Sequence, residues 1–207
     1  REAVRRCRES ATIPVLFGIE ADFCPEPDFL AFAREWLPAQ PFDMVLGSVH
    51  AIRGWVYTWG GESLEKWKSV AVAAVWREYF ALVGQMADTG LFDIVTHLDA
   101  IKYYRYWPPA AQIPEIVQPA LDRIAAAGRG IEINTSGLIR PCQEIYPSRQ
   151  ILVWARERGI PISFGSDAHG PQDVGRAFDQ ALQLAKDAGY TQCLRLRGRK
   201  KHLVPLP

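Results

Sequence analysis

Carboxylate and imidazole side chains occur at the ends of five short apolar stretches of this sequence. The stretches end in GIEAD (18–22), GSVH (47–50), THLD (96–99), EINTSG (132–137) and GSDAH (165–169), and they hold three of the four histidines of the chain. Imidazole and carboxylate groups without thiolates are typical ligands of zinc, iron or manganese ions. We therefore expect a metal site, and its candidate ligands are Glu20, His50, His97, Asp167 and His169.

Each of these residues has an ordinary structural role when it occurs alone. A histidine after a strand is commonly a hydrogen-bonded structural residue, an aspartate before a helix commonly caps it, and Glu20 alone fits a buried salt bridge. The joint occurrence of such groups after successive strands favours metal binding. Five candidate ligands exceed the needs of one ion, so we expect a cluster of ions in which Glu20 is a bridging carboxylate. Such clusters bind phosphoryl oxygens and activate water for hydrolysis.

The apolar stretches alternate with segments whose apolar residues recur at helical spacing. Strand–helix alternation implies parallel strands joined by helical crossovers, in either an open doubly wound sheet or a barrel. In a parallel barrel, the carboxyl ends of all strands open onto one face. No glycine-rich phosphate-binding motif follows a strand, which disfavours nucleotide-binding folds. The sequence predicts strands over residues 15–19, 44–49, 92–96, 130–133, 161–164 and 195–201, and helices over 1–10, 29–36, 72–86, 113–127, 148–158 and 171–188.

Composition and charge exclude several classes of protein. The chain has 24 Lys and Arg against 23 Asp and Glu, so no overall field attracts nucleic acid or an anionic membrane. The longest apolar run covers residues 70–76, far below the ~18 residues of a membrane span. The four cysteines form no CxxC pair, which indicates scattered reduced thiols. We expect a single cytoplasmic domain with no nucleic-acid or membrane partner.

Six segments in order through most of the chain carry a resemblance to a known family. They are GIEADF (18–23), FDMVLGSVH (42–50), FDIVTHLDAIK (92–102), IEINTSGL (131–138), YPS (146–148) and FGSDAHGPQDVG (164–175). The chain resembles the polymerase-and-histidinol-phosphatase (PHP) family. The resemblance implies an α/β fold, a distorted seven-stranded (β/α) TIM-like barrel with a trinuclear metal centre of zinc, iron or manganese. It also implies hydrolysis of the small molecule L-histidinol phosphate to L-histidinol and phosphate, in histidine biosynthesis.

The resemblance also assigns roles to individual residues. Glu20 resembles the family's bridging carboxylate, and His50, His97, Asp167 and His169 resemble further ligands. Asp99 is expected to orient a ligand histidine, or to protonate the leaving group, and its alternative role is that of a helix cap.

Part of the family pattern has no match in this sequence. The resemblance begins at GIEADF, whereas the family opens with an HxH motif on its first strand. We therefore expect residues 1–207 to form the C-terminal two-thirds to three-quarters of one PHP domain, without its N-terminal strands. Two alternative functions follow. One is a phosphoesterase that acts on a nucleotide or on a nucleic-acid 3′ phosphate, and the other is an inactive remnant that binds one metal ion or none.

A phosphomonoester dianion also requires cationic groups beside the metal ions, and arginine is best suited to bidentate contact. Arg140 is the first candidate, and Lys102 and Arg105 are weaker ones, with solvated surface charge as the alternative for all three. Trp55, in a segment with Tyr57 and Trp59, is expected to wall the pocket for the imidazole ring or to cover the barrel rim.

Overall fold

The computed structural model describes residues 1–58 and 60–207, and Trp59, named above, lies outside the described residues. Helices and strands alternate along the described chain, as the sequence predicted. The α-helices are α1 Glu2–Ser10, α2 Pro27–Trp36, α3 Gly60–Trp67, α4 Val72–Asp88, α5 Ile113–Ala126, α6 Arg149–Glu157 and α7 Phe178–Asp187. The strands are β1 Gly18–Asp22, β2 Met44–Ser48, β3 Ala51–Ile52, β4 Trp55–Val56, β5 Ile94–Val95, β6 Gly130–Asn134, β7 Ile162–Gly165, β8 Gln192–Arg197 and β9 Lys200–Pro205.

Five of these strands form one parallel sheet, in the order β1-β2-β5-β6-β7. One row of paired residues crosses it from Glu20 through Leu46 and Ile94 to Gly130. Because the strands are parallel and in register, their carboxyl ends meet along one edge. The prediction of an α/β fold with parallel strands is therefore confirmed.

The core lies between this sheet and the helices that follow its strands. Every residue of β6 is buried, which agrees with the absence of polar alternation in a strand covered on both faces. Helix α4 packs against α5, and the two helices contribute Trp76, Phe80, Leu121 and Ile124 to the core, each at most 2% exposed. Burial of such side chains supplies most of the stabilising free energy of a fold of this size.

The opposite edge of the sheet, at the amino ends of the strands, is held by buried carboxylates. Asp43 accepts hydrogen bonds from the backbone N–H groups of Phe17 (2.8 Å) and Gly198 (2.9 Å). Asp93 accepts one from Val45 N–H (2.9 Å) and pairs with Arg199, whose Nε lies 3.0 Å from Oδ2. These contacts attach the antiparallel β8–β9 hairpin to the sheet.

Three predicted elements differ in the structure. The first strand is β1, so Glu20 lies within the strand and not after it. The last predicted helix begins only at Phe178, because residues 171–173 form a single 3₁₀ turn and both Gly175 (φ 72°) and Ala177 (φ 52°) are left-handed. The basic tail is a hairpin and not one strand, since Gly198 (φ 54°) and Arg199 (φ 59°) form a turn between β8 and β9.

The four cysteines are free thiols, as predicted. Among the described residues, we find no helix that combines the length and the apolar character needed to cross a membrane.

Candidate metal centre

Glu20, His50 and His97 converge at the carboxyl edge of the sheet. Oε1 of Glu20 lies 3.1 Å from Nε2 of His97 and 3.7 Å from Nε2 of His50. One nitrogen or oxygen atom from each residue lies within 4.8 Å of the others, and the two imidazole rings are 4.9 Å apart at their centroids. The convergence follows from the strand order, because β1, β2 and β5, which carry or precede these residues, are neighbours.

This group of side chains fits a divalent metal ion. Two imidazole nitrogens and a carboxylate oxygen form a donor set typical of zinc and of iron or manganese. The His97 side chain is only 6% exposed, and its Nδ1 atom has no hydrogen-bond partner in the described part of the chain. The other ring nitrogen, Nε2, lies 3.1 Å from Oε1 of Glu20 and is the atom through which His97 belongs to this donor set.

The electrostatics of Glu20 and His97 agree with a cation site. Burial raises the pKa of Glu20, but the hydrogen bond from His97 and the charges of both histidines outweigh it, so the net pKa lies below its ordinary value. Burial lowers the pKa of His97, but the hydrogen bond and charge of Glu20 outweigh it, so the net pKa is raised. The pair therefore favours a negative carboxylate beside a positive group, and a metal cation can replace the proton on His97.

Asp22 fixes the orientation of the His50 ring. It lies two residues after Glu20 on β1 and therefore points to the same side of the strand. Its Oδ1 atom hydrogen-bonds to Nδ1 of His50 and accepts a hydrogen bond from Ser48 Oγ at 3.0 Å. This leaves Nε2 of His50 directed toward Glu20, and a carboxylate on the far nitrogen is the usual companion of a metal-binding histidine.

Asp167 and His169 lie in the segment after β7, on the wall of a cavity that Glu20, His50 and His97 also line. Asp167 has a left-handed backbone (φ 49°), and its Oδ2 atom accepts a hydrogen bond from Ser136 Oγ at 3.1 Å. His169 is 75% exposed, and its Nδ1 atom contacts the backbone oxygen of Asp167 at 2.9 Å. Within residues 1–58 and 60–207, the compact group consists of Glu20, His50 and His97 alone. The structure therefore brings the two further candidate ligands to the cavity but not into that group.

The cavity next to the triad has a volume of about 870 Å³ and is open to solvent. Arg140 is half-buried in its wall, and no salt bridge or side-chain hydrogen bond to its guanidinium is found among the described residues. The space is large enough for a small organic phosphate, and a guanidinium in the wall can bind an anionic group. Further residues line the cavity: Thr58, Ala100, Tyr103, Ser136, Ile139, Tyr146 and Asp173.

Comparisons with known proteins agree with this arrangement. The sequence model of a family described as PHP-associated matches residues 147–185. A probable histidinol-phosphatase of Deinococcus radiodurans is 36% identical over 177 residues, which cover 86% of this chain and 66% of that protein. The chain belongs to the PHP family. The resemblance inferred from the sequence is therefore confirmed.

Two further comparisons define its extent. A histidinol-phosphatase of Bacillus subtilis is 30% identical over 121 residues, which cover 55% of this chain and 45% of that protein. The chain thus spans less than two thirds of the length of these curated relatives. A crystal structure of a Lactococcus lactis histidinol phosphate phosphatase, complexed with zinc, L-histidinol and phosphate, matches 97% of this chain and 77% of its own, with a TM-score of 0.77 at 21% identity. That likeness shows the PHP fold.

Asp99 and Lys102 lie away from the cavity of this PHP protein. They form a fully buried ion pair, with Nζ of Lys102 3.0 Å from Oδ2 of Asp99, and Lys102 also contacts Glu144 (2.9 Å) and the backbone oxygen of Ile145 (2.9 Å). Asp99 accepts a hydrogen bond from Ser148 N–H and does not orient His97, whose Nδ1 atom is without a partner among the described residues. Neither residue lines the cavity, and Asp99 is not part of the Glu20–His50–His97 group.

Arg105 and Trp55 also lie outside the residues that line the cavity. Arg105 is exposed, and its guanidinium lies 3.4 Å from the side-chain oxygen of Gln143. The Trp55 indole donates to Ser63 Oγ at 2.8 Å and packs against the Trp67 ring at 5.1 Å. The segment after β3 does reach the cavity, but through Val56 and Thr58 and not through Trp55.

The structure places further residues at or beside the candidate site that our sequence analysis did not select. Asp22 has a visible signal, since it follows Glu20 by two positions on a strand and therefore shares its face. Glu132 lies in the quoted IEINTSGL segment, and its carboxylate is buried beside His97. Tyr146 opens the quoted YPS segment, whereas Tyr103 lines the cavity without any motif that marks it, because aromatic residues near strand ends are equally common in cores.

Proposed function

We propose that this protein is a metal-dependent phosphomonoesterase that hydrolyses L-histidinol phosphate to L-histidinol and phosphate. The observation that carries the proposal is a cavity lined by the Glu20–His50–His97 group and by Arg140, whose guanidinium has no ion-pair partner among the described residues. Metal-dependent hydrolysis of a phosphate monoester uses these two kinds of group, a metal site and a cation for the remaining oxygens. The histidinol-phosphatase relatives support the choice of substrate.

Glu20, His50 and His97 would hold one ion, and Asp167 and His169 are the further ligands of a cluster of two or three zinc, iron or manganese ions. When bound, such ions polarise the phosphoryl oxygens and make water a better nucleophile at neutral pH. Glu20, whose Oε1 atom lies 3.1 Å from His97 and 3.7 Å from His50, would be the shared carboxylate of such a cluster.

Arg140 would orient the phosphate group. A guanidinium offers two parallel N–H donors to two phosphate oxygens, which fixes the phosphorus relative to the ligand group. Its position in the wall and the absence of a described carboxylate partner leave those donors available to an anion. Arg140 would also neutralise the negative charge that develops on those oxygens during hydrolysis.

The aromatic part of the wall would receive the organic part of the substrate. Tyr103 and Tyr146 line the cavity, and the Tyr146 ring lies edge-on to His97 at 6.4 Å. Burial and the neighbouring Cys142 raise the pKa of Tyr146 far above its ordinary value, so this ring stays neutral. Neutral aromatic rings favour a planar imidazole group without repelling the phosphate.

We further propose that the five-stranded sheet is part of a distorted seven-stranded (β/α) barrel, and that residues 1–207 form a single domain. The likeness in fold to the Lactococcus lactis protein supports this architecture. The parallel strands and the placement of the cavity at their carboxyl edge agree with such a barrel.

The experiment is a phosphate-release assay on the purified protein with zinc or manganese. We expect hydrolysis of L-histidinol phosphate with a higher kcat/KM than that of a nucleoside 3′-monophosphate, and loss of activity with a chelator. A preference for the nucleotide would identify the alternative phosphoesterase. Absence of hydrolysis, with fewer than two metal ions bound per chain, would identify an inactive remnant.

A further inference from the structure

Glu132 accepts an unusual number of hydrogen bonds beside the candidate metal centre. Its carboxylate is buried on β6, the residue being 6% exposed. Its Oε2 atom accepts from Thr96 Oγ1, from Asn134 Nδ2 at 2.8 Å and, more weakly, from His97 N–H at 3.4 Å. Glu132 thus contacts the backbone of a ligand residue, but it neither lines the cavity nor belongs to the compact ligand group.

The hydrogen bonds continue from Glu132 to a second ligand residue. Asn134, held by Glu132, accepts a hydrogen bond from Ser136 N–H at 2.9 Å on its Oδ1 atom. Ser136 Oγ in turn donates to Oδ2 of Asp167 at 3.1 Å. A continuous series of contacts therefore connects His97, after β5, to Asp167, after β7, by way of β6.

Both connected residues adopt a backbone conformation that requires support. His97 has φ 29° and Asp167 has φ 49°, in the left-handed region that residues with a Cβ atom rarely occupy. Such conformations persist only where the surrounding structure holds them, and they cluster at functional sites. The series of contacts through Glu132 ends on these two residues.

Gly165, on the neighbouring strand β7, leaves space for the Glu132 carboxylate. A Cβ atom at position 165 would lie 1.8 Å from Oε1 and 2.6 Å from Cδ of Glu132. A methyl group there would therefore force the carboxylate to move. Gly165 gives a means of displacing Glu132 without changing any hydrogen-bonding group.

We infer that Glu132 is a positioning residue that sets the placement of His97 and Asp167 relative to each other, and thereby the affinity of the centre for metal. The inference rests on the proposed metal-dependent function. Residues that hold metal ligands in place typically change metal affinity by about 10- to 100-fold when they are replaced. Glu132→Gln keeps the side-chain shape, but a neutral amide oxygen accepts the same donors more weakly.

The test is the zinc dissociation constant, measured by competition with a chromophoric chelator and thus independent of activity. We expect Glu132→Gln and Gly165→Ala to weaken zinc binding by about 10- to 100-fold. Ser136→Ala removes only the last contact, to Asp167, and serves as the milder variant should the other two fold poorly. We expect it to weaken zinc binding in the same direction and by less.

The matched control is Asp93→Asn, a buried carboxylate that also accepts a backbone N–H but lies at the opposite edge of the sheet. We expect it to lower Tm with zinc affinity unchanged. Equal loss of affinity in Asp93→Asn and Glu132→Gln, or wild-type affinity in both Glu132→Gln and Ser136→Ala, would overturn the inference and leave the proposed function intact. A wild-type protein that binds no zinc would instead overturn both.

Discussion

Oε1 of Glu20 and Nε2 of His97 lie 3.1 Å apart, although 77 positions separate the two residues in the sequence. Their strands, β1 and β5, are not adjacent, because β2 lies between them. The contact therefore crosses a strand at the carboxyl edge of the sheet, where His50 completes the group. This relationship is the basis of the function proposed above.

Arg140 is expected to bind the phosphate of the substrate. Arg140→Ala should lower kcat/KM by about 10- to 150-fold, the value of a hydrogen bond to a charged group, while bound metal stays unchanged. Steady-state kinetics and metal content measure the two quantities. Arg105→Ala, which removes an exposed guanidinium outside the cavity, is the control. An equal loss in the control would show that general positive charge, and not the Arg140 contact, binds the substrate.

Asp22 is expected to support metal binding through His50. Asp22→Asn weakens the hydrogen bond that directs Nε2 of His50 toward Glu20, so zinc affinity should fall by about 10- to 100-fold. Competition with a chelator measures this affinity. Asp28→Asn, on helix α2, changes the net charge equally and should bind zinc as the wild type does. A wild-type affinity for Asp22→Asn would mean that His50 is oriented by other contacts.

The buried Asp99–Lys102 pair is expected to stabilise the fold. Lys102→Met leaves the Asp99 carboxylate buried without its cation, which should lower the free energy of unfolding by about 3–5 kcal/mol. Urea unfolding measures the loss, and the double variant with Asp99→Asn should lose less than the sum of the single variants. Additive losses would contradict the coupling of the two residues. A change in KM without a change in stability would indicate instead that they bind substrate.

Asp43 is expected to make stability depend on pH. Burial raises the pKa of Asp43, but the N–H groups of Phe17 and Gly198 and the Arg8 guanidinium outweigh it, so the folded-state pKa lies below the unfolded value. Its stabilising contribution is therefore present above the unfolded pKa, about 3.9, and disappears as pH falls through the folded pKa. Asp43→Asn should lower the free energy of unfolding at pH 7, and the difference from wild type should shrink at acidic pH. A difference that does not change with pH would contradict this assignment.

The periodicity and the strand-end residues predicted most of what positions the site. Alternating strands and helices imply parallel strands, and parallel strands bring Glu20, His50 and His97 to one edge whatever their distance in the sequence. The resemblance to the PHP family rested on the same segments. These features depend on local pattern and on topology, which a sequence expresses directly.

Other features depend on tertiary contacts that the sequence pattern does not express. Lys102 follows a strand end as a substrate ligand would, but Asp99 and Glu144 hold its ammonium group in the core.

The predicted helix over residues 171–188 has a proline near its start and a glycine at its end. It begins only at Phe178 because the segment before it turns to place the Arg176 backbone oxygen against Thr135 Oγ1, at 2.7 Å.

The most direct test of the account is the zinc stoichiometry and affinity of the purified wild-type chain and of Glu20→Gln, measured by elemental analysis and chelator competition. We predict at least one tightly bound ion per wild-type chain. The loss in Glu20→Gln should exceed the roughly 100-fold expected for a residue that only supports a ligand. Glu26→Gln, at the start of helix α2, should bind zinc as the wild type does. Equal zinc affinity in wild type and Glu20→Gln would contradict the central claim that Glu20, His50 and His97 form the metal centre.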